Sequence, residues 1–227
     1  MKLSGLRPGK KKALLGALSL ILVLTAGWFY YQAEKAKAER HQEELFQSAL
    51  AAVRGEVRAE ENFEPRSFGP PPTETTPETD KLWRGATAFS KKRFHEAINL
   101  WDDLLKTRAG VKDLEALAAA AHLREKNYSL AAQKYRAILA KKEPGANPQL
   151  AQVKAAQDEL GLSLALFHLR DYPLALKAAE NAYNFRLKRF GPFHRETLSS
   201  ANILASSLMG LQDNAKALEL LKTVTDG

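Results

Sequence analysis

The chain has 227 residues, of which 45% are hydrophobic and 8% aromatic, with a formal net charge of +8 and no cysteine. That length holds one or two domains, and the dominance of alanine and leucine over β-branched and aromatic residues favours helices over sheets. The missing cysteine excludes disulfides, thiol catalysis, cysteine zinc sites and a lipid-modified cysteine. The positive charge alternates with negative charge along the chain and no base-reading motif accompanies it, which argues for solvated faces and against a nucleic-acid partner.

Residues 1–12, "MKLSGLRPGKKK", carry five basic side chains and no acidic one. They lead into "ALLGALSLILVLTAGWFYY", residues 13–31, which contains no charge. As a helix this run is roughly 28 Å long, near the ~30 Å hydrocarbon thickness. Trp28, Phe29, Tyr30 and Tyr31 stand where an interfacial aromatic belt belongs. A cleaved leader is the competing reading, but the long apolar run closing on four bulky aromatics favours an uncleaved transmembrane helix. Lys10, Lys11 and Lys12 then keep the N-terminus in the cytoplasm and send residues 32–227 across, into the periplasm if the membrane is a bacterial inner membrane.

Residues 32–61 are strongly helix-forming, with Phe46, Ala49, Leu50, Val53 and Val57 in a narrow apolar stripe. The expectation is a short helical stalk, either pairing with a second copy or partner or solvated. Residues 62–79 contain five prolines, which remove backbone donors and fix φ, so an extended Pro-rich linker follows.

From residue 80 one pattern recurs in residues 80–227. "KRFHEAINLWDDLL", "KNYSLAAQKYRAIL", "RDYPLALKAAENAY" and "QDNAKALELLKTV" align without gaps. The aligned turn positions are Phe94, Tyr128, Tyr172 and Asn214, and three places on stand Ala97, Ala131, Ala175 and Ala217; successive units are 34, 44 and 42 residues apart. Such a period fits a pair of amphipathic helices per unit, stacked because one hairpin cannot bury its apolar face alone.

These residues resemble the tetratricopeptide repeat family over 80–225, in four units. Gly85, Ala119, Ser163 and Ala205 fill the family's small position on the first helix of each unit, while the consensus Trp is absent from units two to four and displaced to Trp83 in the first. The joint before the last unit, Gly191, Pro192, His194 and Thr197, resembles the G-P-x-H-x-x-T segment of kinesin light chain repeats, with Arg195 in place of their usual proline. It reads as the punctuation of a repeat rather than a reactive site. The resemblance implies an all-α fold: an α-solenoid of about four hairpins behind the anchor, the stalk and the linker.

It also implies a groove lined by the first helices and open to protein partners. Family groove positions fall on Leu82, Phe89, Ala120, Leu123, Arg124, Leu160, Leu164, Phe167, His168, Asn202 and Met209, with Arg124 and His168 as polar readers. The asparagine places of the family's carboxylate clamp hold Ala86, Ala120, Leu164 and Ser206, which speaks against a chaperone adaptor. The basic run 186–195 is expected as a solvated helix end or a contact for an acidic partner, and the insert 141–149 as a possible second contact surface.

Chemistry is not signalled. His95 opens "HEAIN", but Asn99 stands where a second zinc ligand would be, and no nucleophile elbow or phosphate loop occurs. The expectation is no enzyme, no cofactor and no metal. The protein is read as a membrane-anchored scaffold and accessory subunit of a bacterial envelope complex, as a homo-oligomer or in a hetero-complex. A cytosol-facing import receptor and a hydrolase with a dispersed site are the alternatives.

Overall fold

The computed structural model describes the backbone of residues 8–57, 74–141 and 147–225, and the side chains of 24–55, 57, 74–141 and 147–223. Among these residues the protein has nine α-helices and no strand. The chain divides into two compact units, 1–47 and 48–227. The first holds most of α1 (Pro8–Glu56). There Trp28, Phe29, Tyr30 and Tyr31 are exposed, and Glu34–Lys37 forms a surface ion pair at 2.8 Å. The side chains of residues 13–23, the greater part of the expected transmembrane run, lie outside the described residues. Among the described residues no helix is long and apolar enough to cross a membrane. The expected linker likewise lies outside them as far as residue 73, and residues 142–146 of the insert do too.

The second unit is a row of four antiparallel hairpins: α2 (Pro77–Ser90) with α3 (Phe94–Thr107), α4 (Lys112–Arg124) with α5 (Tyr128–Ala140), α6 (Pro148–His168) with α7 (Tyr172–Phe190), and α8 (Arg195–Gly210) with α9 (Asn214–Thr225). The row begins at Pro77, three residues before the expected boundary, because Thr76 and Thr79 form a reciprocal capping box and Pro77 fixes the first helical φ. Each helix packs on its neighbours in the chain. In addition α4 touches α6 and α6 touches α8, while the second helices make no such extended contact. The first helices α4, α6 and α8 therefore form the inner side of the row.

The four turns inside the hairpins are the same structure. Lys92, Lys126, Arg170 and Gln212 all adopt left-handed φ, between 60° and 66°. The next residue's N–H reaches back to the helix: Arg93 to the Ala88 carbonyl, Asn127 to His122, Asp171 to Leu166 and Asp213 to Leu208, all at 2.8–3.0 Å. This is the closure that satisfies the last orphan carbonyls of a helix. Here none of the four left-handed residues is glycine, although a side chain there costs about 1 kcal/mol. Phe94, Tyr128, Tyr172 and Asn214 are each the first residue of a second helix.

Small residues let the helices approach. Ala97, Ala131, Ala175 and Ala217 are buried, as are Gly85, Ala119, Ser163 and Ala205. A Cβ on Gly85 would lie 2.3 Å from Trp101 Nε1, and one on Gly161 2.4 Å from the Tyr135 ring. Trp101 of α3 and Tyr135 of α5 thus each fill the space that a glycine on a first helix leaves. Trp101 is fully buried and donates its indole N–H to the Leu82 carbonyl at 3.3 Å.

The joint before the last hairpin serves helix ends on both sides. Gly191 closes α7 at φ +85°, His194 accepts the Glu196 N–H at the start of α8, and Phe190 stacks on His194 with centroids 4.6 Å apart. Within the basic run, Arg186 is buried rather than solvated. It donates to the Glu196 carbonyl and to Ser200 Oγ, both at 3.0 Å, and ties α7 to α8.

Candidate functional site

The end of α1 belongs to the second unit and lies against its first helices. Ala49, Leu50, Val53 and Val57 of the expected stripe are buried there. Between the two valines sits Arg54, only 5% exposed. Its guanidinium pairs with Asp158 of α6, and its Nε stands 3.8 Å from Asp113 Oδ1 of α4. Lys154 Nζ holds the other Asp113 oxygen at 2.5 Å, and Gln157 Nε2 donates to the Val57 carbonyl at 3.1 Å. The last turns of α1 from residue 48, with Val57 just beyond the helix, are therefore seated on α4 and α6 by an arginine, two carboxylates and an aliphatic flank.

Asp158 is 2% exposed. Burial pushes its carboxyl above the ordinary carboxylate range, a push that the Arg54 guanidinium opposes. Desolvating both charges is costly, so such a pair contributes specificity more reliably than net stability. Arg54 Nε faces Asp113 Oδ1 at ion-pair rather than hydrogen-bond distance. The seat thus matches one arginine to two carboxylates on two helices.

The expected groove residues fall into three groups. Leu82, Phe89, Ala120, Leu123, Leu160 and Leu164 are buried. Phe89 packs inside the first hairpin, 5.2 Å from the Phe94 ring and 5.9 Å from Trp101, and Leu123 and Leu164 join the core that α4 to α7 share. Arg124, Phe167 and His168 are half-buried. Asn202 and Met209, on α8, are exposed.

Arg124 and His168, expected as polar readers, do a common structural job. The Arg124 guanidinium lies 5.5 Å from the centroid of the Phe94 ring, and His168 stacks on Tyr128 at 4.3 Å and 10°. In both cases the end of a first helix covers the turn aromatic of the hairpin before it. The third instance is Gly210, where a Cβ would lie 2.4 Å from the Tyr172 ring. These positions hold successive hairpins together.

His122, on α4, is 5% exposed, with Nε2 3.4 Å from Asp102 Oδ2. Desolvation lowers its pKa below 6.5 although Asp102 opposes the shift. Among the described residues no group of three or more His, Asp or Glu side chains could hold a metal ion.

Arg54, Asp113, Gln157 and Asp158 were absent from the residues expected at the site. A signal was present in part: Arg54 interrupts the apolar stripe of α1, while Asp158 lies between Gln157 and Glu159, just before the apolar run that starts at Leu160. A charge at each such place marks a pair waiting for a partner. Comparison with protein-family models, curated proteins and solved structures yields no match for this chain.

Proposed function

We propose that this protein is a non-catalytic, membrane-anchored scaffold of tetratricopeptide type that gathers protein partners on the inner side of its hairpin row. The observation that carries the reading is that side itself: four hairpins with one turn geometry present their first helices together, and these already receive a helix. The uncharged run 13–31, bounded by basic residues and by four exposed aromatics, supplies the anchor. Lysines on its N-terminal flank favour a cytoplasmic N-terminus, with the hairpin row in the periplasm of a bacterial cell. An accessory role in an envelope complex follows from anchorage and binding without chemistry.

Photo-crosslinking side chains at Asn202 and Met209 of the membrane-embedded chain test the reading, with Arg136 on α5 as the control. Discrete crosslinked proteins are expected from the first two positions and none from the third. Equal labelling from all three would refute it. For topology, a single cysteine at Asn202 is expected to react with an impermeant thiol reagent in intact spheroplasts; protection until lysis would reverse the orientation.

A further inference from the structure

We propose that the Asp113–Asp158 seat between α4 and α6 is a recognition site for a partner helix carrying an arginine flanked by aliphatic residues, and that residues 48–57 are its tethered resident. The inference rests on the reading of the inner side as the binding side.

The resident displays what the seat selects. Arg54 meets two carboxylates on two different first helices, while Val53 and Val57 lie buried beside it one turn apart. A lysine could not present a planar fork to both carboxylates, and an apolar residue would leave Asp158 unpaired in a dry site. The required pattern is a valine-like residue, the arginine, and a second aliphatic residue three places on.

Exchange at this contact is a competition between a tethered helix and a free one. The segment is the last stretch of the 49-residue helix α1 together with Val57, held to the row by the Arg54 ion pair and its aliphatic flank. Residues 58–76 join it covalently to α2, and a tether of this kind holds a ligand at an effective concentration on the order of 1 mM. A free helix of equal affinity must reach that concentration to compete, which makes the resident a threshold against weak ligands.

The test uses the full chain in detergent and a fluorescent peptide of residues 44–60 as the probe. Arg54→Ala removes the competitor from the protein and leaves the seat; with a probe Kd of about 100 µM the peptide is expected to bind this variant roughly tenfold more tightly than the parent chain. A peptide whose arginine is glutamine is expected not to bind either. Equal binding to parent and variant, no binding to a folded variant, or undiminished binding of the glutamine peptide would overturn the proposal.

A second measurement does not depend on that variant. Because the chain has no cysteine, Val57→Cys with Gln157→Cys gives one defined pair for a short bismaleimide. Crosslinking within one chain is expected, reduced severalfold by millimolar peptide. Crosslinks between chains, or yields insensitive to the peptide, would overturn the tethered arrangement. Both assays use a defined probe, so their failure leaves capture of partners at Asn202 and Met209 unaffected, and failure of that capture leaves these assays readable.

Discussion

The hairpin row and the end of α1 from residue 48 each bury one helical face, yet opposite chemistry holds them. Within the row, aromatics such as Trp101 and Tyr135 fill spaces left by Gly85 and Gly161, and alanines bring the paired helices close. Across the seat, a charged side chain is taken out of water and matched by two carboxylates. Apolar fitting contributes strength that grows with each methylene buried and tolerates no vacancy. A desolvated ion pair contributes a choice of partner, since its attraction largely offsets its desolvation. The row is built to stay, and the segment is built to be chosen.

The largest expected effect is in the row. Trp101→Ala removes a fully buried side chain and should cost about 3–5 kcal/mol, measured by chemical denaturation. Recovery of that loss on combining it with Gly85→Leu would show the glycine and the indole to be one packing unit. Next comes the seat. Asp158→Ala breaks the ion pair, for which about 3–5 kcal/mol is typical when both groups stay buried. Here Arg54 can leave with its segment, so hydrogen exchange at 48–57 should accelerate at least tenfold while the row melts within a few degrees of the parent. A drop in melting temperature as large as that of Trp101→Ala would erase the distinction between the two regions.

Smaller effects sharpen it. Lys126→Gly relieves the left-handed strain of a turn and should stabilise the row by about 0.5–1 kcal/mol. The same gain is expected at Lys92, since the turns are alike.

His122 supplies a pH dependence. Its folded pKa is depressed by desolvation, against Asp102 and Glu125 on one side and with Lys134 on the other. Its stabilising contribution is therefore fully present above the unfolded value of 6.5 and is lost as pH falls through the folded value. Melting temperature should decline as pH is lowered below 6.5, and less so in His122→Gln.

Much of the row was legible. Phe94, Tyr128, Tyr172 and Asn214 align by spacing alone and each begins a helix, and the alanines three places on are buried in every unit. The partner of each face was not legible. Phe89 and Leu164 are buried, and Arg124 and His168 cover the turn aromatics of the preceding hairpin. Nor did periodicity reveal the left-handed residues, because lysine, arginine and glutamine occupy them where glycine would have announced the turn.

By itself the sequence determined the helices, their turns and the small residues of the hairpins, because these depend on neighbours within about one turn and repeat at a fixed interval. Only the tertiary structure decided that Arg54 meets Asp158, 104 residues away. A stripe on α1 specifies that something apolar must cover it, but the covering surface is assembled from α4 and α6 only after the hairpins have stacked. Local periodicity fixes which way a side chain faces; the choice of partner across that distance belongs to the packed assembly.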